Sequence, residues 1–115
     1  MEWMMSVFSS FVFGVLGAVM IPALAHASPA GLDLARASQC MACHQVDTRR
    51  VGPPFNAVAQ RFGGQAGADE YLAKVIRNGS RGQWGAIPMP AQTQVSEADA
   101  KKLAQWILSL NRSPD

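Results

Sequence analysis

Apolar residues recur at helical spacing in four stretches of this chain, and the pattern is plainest near the C-terminus. There Ala100, Leu103, Trp106, Ile107 and Leu110 fall three and four apart behind Ser96-Glu97-Ala98-Asp99, a capping-box arrangement, and predict a helix over 96–110. Upstream, 67–78 places Ala68, Leu72, Val75 and Ile76 on one face, with Asp69 and Glu70 in the first turn and Asn78-Gly79 as a stop. Phe55, Val58, Ala59 and Phe62 predict another helix, preceded by the turn Val51-Gly52-Pro53-Pro54 and closed by Gly63-Gly64. Leu32, Leu34, Ala35 and Ala37 give a shorter, weakly amphipathic helix that runs into residues 40–44. No stretch alternates as a strand would, so the expected class is all-α.

One apolar run does not fit this scheme. Val7 to Ile21 is broken only by serines and glycines and is followed by Pro22 and then Ala25-His26-Ala27, an A-x-A cleavage pattern. The expectation is a secretory signal peptide over 1–27, cut after Ala27, and one domain over 28–115. The leader departs from pattern in carrying Glu2 and no Lys or Arg, and the alternative is a retained membrane anchor. Against it, the run is shorter than the roughly 20 residues of a span. Removing 27 of 115 residues leaves 88, a chain too short to bury much apolar surface, for which an internal cofactor is a physical asset. Without Glu2, ten Lys and Arg stand against seven Asp and Glu, a net +3. So mild a charge carries no nucleic-acid implication and only a lean toward acidic partners.

The chemistry concentrates in Cys40-Met41-Ala42-Cys43-His44. Cys-x-x-Cys-His is the attachment sequence of a c-type haem. On one helical turn the two thiols and the imidazole project to the same side, where the thiols can add to the haem vinyl groups and His44 can ligate the iron. The competing readings fit less well. Structural zinc needs four ligands, and the fourth would have to be His26 in the leader. A redox Cys-x-x-Cys belongs in a strand–helix–strand pattern that is not seen here. A plain disulfide leaves His44 unexplained.

Residues 79–95 form a long irregular loop, and such loops in small domains are usually functional or disordered. Trp84 and Met89 lie within it. After removal of the leader only Met41 and Met89 remain, and Met41, between the two cysteines, has to point away from the face they occupy. Met89 is then the candidate second iron ligand, stiffened by Pro88 and Pro90. A His–Met pair raises the reduction potential and leaves no open site, which implies electron transfer rather than oxygen activation.

Together these residues resemble the short bacterial class I cytochromes c, most closely the c-551/c-552 type. The resemblance rests on Cys40–His44, Val51-Gly52-Pro53, Gly63-Gly64-Gln65-Ala66-Gly67, Arg77-Asn78-Gly79-Ser80, Trp84-Gly85 and Ile87-Pro88-Met89-Pro90, in family order over nearly the whole chain after the leader. It implies four helices wrapped round one covalent haem c, with His44 and Met89 as axial ligands. It further implies that the Pro53 carbonyl orients His44, that Trp84 donates to a haem propionate, and that Gln92 bonds near the ligating sulfur. Several relatives carry a basic residue where Val75 stands, so the charge facing a propionate has to come from elsewhere. The loop after Met89 is also one residue longer, at Thr93-Gln94. Ala35 is small and Met41 and Tyr71 are large beside family counterparts, which reads as repacking around the haem.

The leading functional expectation is a monomeric periplasmic one-electron shuttle without substrate turnover. Its haem edge would be ringed by basic side chains such as Arg49, Arg50, Arg81 or Lys74. Its partners would be other redox proteins: a cytochrome bc1-type complex, a nitrite reductase, a terminal oxidase or a peroxidase. A small peroxidase-like enzyme or a gas-binding module would each need an open iron position, which Met89 opposes.

Overall fold

In the computed structural model, residues 29–112 are described; the expected leader, with its cleavage site after Ala27, lies outside them. Four α-helices follow in order: α1 (Pro29–Ala37), α2 (Phe55–Phe62), α3 (Ala68–Asn78) and α4 (Glu97–Ser109). None of the helices among the described residues is long and apolar enough to cross a membrane.

The long helix α4 organises the rest, packing on α1, α2 and, most extensively, α3. Its apolar stripe carries the centre of the core, with Ala100, Leu103, Ala104, Trp106 and Ile107 all buried. Ser96 caps it, its hydroxyl accepting from the Asp99 backbone N–H at 3.1 Å. Only that half of the capping box forms, since the Asp99 carboxylate faces Lys102 at 3.4 Å instead. The crossing with α1 is close enough that a Cβ on Gly31 would sit 2.0 Å from the Trp106 ring. Gly31 and Ala35, the latter fully buried, are therefore small because α4 lies directly against them. From the other side come Phe55 and Val58 of α2 and Leu72 and Ile76 of α3.

Two local features differ from the sequence expectation. Helix α1 does not continue into the cysteine motif. It stops at Ala37, Gln39 takes a left-handed conformation (φ 64°), and Cys40–Ala42 forms a separate 3₁₀ turn. The break re-aims the chain, so the motif's direction is set by its own tight turn and not by the axis of α1. The loop after α3 also contains one element of sheet pairing, an isolated antiparallel bridge between Ser80 and Met89.

Candidate functional site

The helices leave a large cleft open on one side of the core. Its cavity volume is about 170 Å³, and residues spread from Gln39 to Ile107 line it, a wall extensive enough for a large organic ligand rather than a water or an ion. Core residues Phe55, Val58, Leu72, Ile76, Leu103 and Ile107 form its floor. No charged or polar side chain is buried among the described residues, so the interior suits a flat apolar macrocycle.

Cys40, Cys43 and His44 share one wall of this cleft. The 3₁₀ turn is closed by the N–H groups of Cys43 and His44, which both donate to the Cys40 carbonyl, at 3.2 and 3.0 Å. Cys40 is half-buried and Cys43 exposed, and neither is in a disulfide. Burial pushes the Cys40 thiol up from its ordinary range while a backbone hydrogen bond opposes it, which favours the neutral thiol. Met41 packs against the hydrophobic core and is not among the cleft residues.

The backbone that follows is folded back beneath His44. The N–H groups of Val51 and Gly52 both donate to the Cys43 carbonyl, at 3.1 and 2.8 Å, and Phe55 N–H donates to Gln45. This brings the Pro53 carbonyl within 2.8 Å of His44 Nδ1. A carbonyl can only accept, so Nδ1 carries the proton and Nε2 keeps a free lone pair for a metal. The ring is stacked on Phe55 at 4.9 Å between centroids, and Phe55 meets Trp106 edge-on at 5.3 Å. Gly52 has no alternative, because a Cβ there would lie 2.5 Å from His44 Cε1. What reads as an ordinary turn in Val51–Pro54 is thus the bed on which the imidazole rests.

Met89 and Trp84 line the cleft from the long loop. The bridge to Ser80 engages both backbone groups of Met89, at 3.0 and 2.9 Å, and Gln92 N–H donates to the Ile76 carbonyl at 2.9 Å. The loop therefore lies down on the C-terminal end of α3. Gly79 makes the approach possible: it sits at φ 80°, and a Cβ there would meet the Met89 carbonyl oxygen at 2.6 Å. Gln92 also lines the cleft, with its amide donating to the Pro90 carbonyl and accepting from Gln94.

The four basic residues expected round the rim are all exposed, and of them Arg49 lines the cleft while Arg50, Arg81 and Lys74 do not. Sequence reasoning missed Arg61, whose guanidinium lies 4.7 Å over the Trp84 ring and donates to the Gln83 carbonyl at 2.6 Å. It projects from the exposed side of α2, and no local pattern connects it with a residue more than twenty positions away.

An apolar cleft with two free thiols and an oriented imidazole on one wall defines a small all-α protein built to hold a covalent haem. Comparison with known proteins agrees. Residues 27–107 match the family model described as cytochrome c oxidase, cbb3-type, subunit III. The chain is 51% identical over 81 residues to cytochrome c-552 of Nitrosomonas europaea, covering 70% of this chain and 79% of that one. It is 50% identical over 91 residues to cytochrome c-551 of Stutzerimonas stutzeri, covering 79% and 84%. The crystal structure of the wild-type Nitrosomonas europaea cytochrome c552 superposes with a TM-score of 0.68 at 50% identity, over 70% of this chain and 99% of that one.

The chain belongs to the class I monohaem c-type cytochromes of the c-551/c-552 group. It carries one haem c, attached through Cys40 and Cys43, and is a haem-based electron carrier.

Proposed function

We propose that the protein is an exported one-electron carrier in which His44 and Met89 are the two protein ligands of the haem iron. The observation that carries this reading is the double backbone clamp of Met89 on Ser80, which holds a thioether-bearing residue on the lining of the cleft. Opposite in chemistry to that sulfur is the His44 imidazole, with Nδ1 engaged by Pro53 and Nε2 free. The haem supplies a one-electron ferric/ferrous couple. The surrounding residues bind and orient it. Pro53 fixes the tautomer and plane of His44, Phe55 supports the ring from behind, and Gly79, Pro88 and Pro90 hold the Met89 backbone. Trp84 and Gln92 complete the wall, Trp84 as donor to a haem propionate and Gln92 as a support for the Met89 loop. With both axial positions filled by the protein, no site is left for substrate, which favours a carrier over a peroxidase-like enzyme or a gas sensor.

Residues 1–27 would direct export and be cleaved after Ala27, placing the domain in the periplasm. There it would act as a monomer, exchanging electrons between a bc1-type complex and acceptors such as a nitrite reductase, a terminal oxidase or a peroxidase. The test is Met89→Ala. Oxidised wild-type protein is expected to show the weak far-red sulfur–iron charge-transfer band. The variant is expected to lose that band, fall in reduction potential and bind small exogenous ligands. Retention of both band and potential would remove Met89 from the iron and with it the main argument against an open-site enzyme.

A further inference from the structure

A haem brings carboxylates into a cleft whose interior offers them no charged partner. No polar or charged side chain is buried among the described residues, and an unpaired carboxylate in such surroundings costs several kcal/mol. The carboxylates therefore have to emerge at the rim, and the rim residues decide what they meet. Among the described residues Arg49 is the one permanently charged side chain that lines the cleft. Val75, which also lines it, is neutral.

Arg49 is held where it stands. Its Nη2 donates to the Trp84 carbonyl at 3.1 Å, a contact between positions 35 residues apart, and lies 3.8 Å from the place a Cβ would take on Gly85. Trp84 is gripped in turn by Arg61, packed on its ring at 4.7 Å and bonded to the preceding carbonyl at 2.6 Å. Two arginines from different segments thus close on the same short piece of loop. A fork that only needed to secure the loop would not have to line the cleft, whereas Arg49 does.

We propose that Arg49 is the cation facing the carboxylate edge of the haem, and that Arg61 is a positioning residue that keeps Trp84, and through it Arg49, in place. This deepens the proposed function. It rests on the haem occupying the cleft and not on which atom completes the iron's coordination. A fixed positive charge beside the haem favours the ferrous over the ferric state, and its effect is strongest where water is excluded.

The experiment compares the reduction potentials of the haem-loaded protein and of Arg49→Gln, Arg49→Lys, Arg61→Gln and Arg50→Gln, at low and high ionic strength. Arg50 is the control: it is the adjacent arginine, exposed like Arg49 and of the same charge, but it does not line the cleft. Arg49→Gln is expected to lower the potential by clearly more than Arg50→Gln, with the excess largest at low ionic strength, since Arg49 is itself exposed and salt screens it in part. Arg49→Lys is expected to recover most of the loss, which a purely structural role for the guanidinium would not allow. Arg61→Gln is expected to shift the potential in the same direction by less. Equal shifts in Arg49→Gln and Arg50→Gln at low ionic strength, or no recovery in Arg49→Lys, would each overturn the assignment of the cation. An unchanged potential in Arg61→Gln would overturn its positioning role. The far-red band, recorded on every variant, reports separately on Met89, so the ligand reading can fail without deciding the arginine comparison, and the reverse.

Discussion

The two walls of the cleft are built by different means. Around His44 the chain relies on packed rings: the imidazole on Phe55, Phe55 against Trp106, and Trp106 against Gly31 of α1. That series runs from the cleft to the far side of the core, so His44 is held by the same contacts that hold the fold. Around Met89 the packing is thinner, with Met89 and Trp84 only partly buried against the core. Pro88 and Pro90 are exposed and Ile87 is 64% exposed, and the loop is fixed by backbone hydrogen bonds to Ser80 and Ile76, by the glycine beneath it and by two arginines. Apolar packing costs kilocalories when disturbed and fails with the whole domain, whereas a surface loop tied by a few backbone bonds opens locally at lower cost. The His44 wall should therefore report on global stability, and the Met89 wall on local ligand-side chemistry.

The largest perturbation removes the group both walls share. Cys40→Ala combined with Cys43→Ala is expected to release the haem into acidified organic solvent, where the wild-type haem stays with the polypeptide. Without it the cleft has no filling. A void of the cleft's roughly 170 Å³ would at about 24 cal/mol per Å³ cost about 4 kcal/mol, a large share of the stability of a typical domain. The double variant is expected to lose its cooperative thermal transition by circular dichroism. A well-folded, haem-free double variant would show that the helices do not depend on the group they enclose.

The comparison sharpens one wall at a time. Phe55→Ala truncates the ring on which His44 rests and opens a cavity against Trp106. Substitutions of this kind cost about 3–5 kcal/mol, to be read from denaturant unfolding of the haem-loaded protein. A loss below about 1 kcal/mol would mean that the stack is incidental and that the His44 wall is secured by its backbone, as the Met89 wall is.

The two walls also differ in how far they could be read in advance. Helix α4 was legible because an apolar stripe and a serine cap are local signals: Ala100, Leu103, Trp106 and Ile107 are buried where the spacing puts them, while Leu110, half-buried, falls just past the helix end. The cysteine motif was legible because chemistry restricts it: few residue types attach a haem. What escaped was tertiary or conformational. Gln39 takes a positive φ without being Gly or Asn, so nothing in its identity announces the break before the motif. Gly52 reads as part of a turn, and only the folded chain brings His44 within 2.5 Å of its missing Cβ. Arg61 and Trp84 meet through the packing of α2 against the loop, and periodicity within either segment carries no trace of it.

The smallest expected effect is also the most local. Gly79→Ala places a methyl group where the Met89 carbonyl and the Ala91 N–H approach to 2.6 and 2.9 Å, on a residue at φ 80°. Both contacts are backbone, so no side chain can rotate away and the Met89 bridge has to shift. Gly67→Ala separates the two causes, since Gly67 has nearly the same φ, 75°, with nothing within 4 Å of its missing Cβ. The left-handed conformation alone costs about 1–2 kcal/mol, and both variants are expected to lose that much in denaturant unfolding. Only Gly79→Ala is expected to lose a further fraction of stability, to weaken the far-red band and to admit exogenous ligands faster. Indistinguishable spectra for the two variants would mean that the close passage of the loop over α3 does not position Met89, and the contrast between a packed wall and a backbone-tied wall would lose its functional meaning.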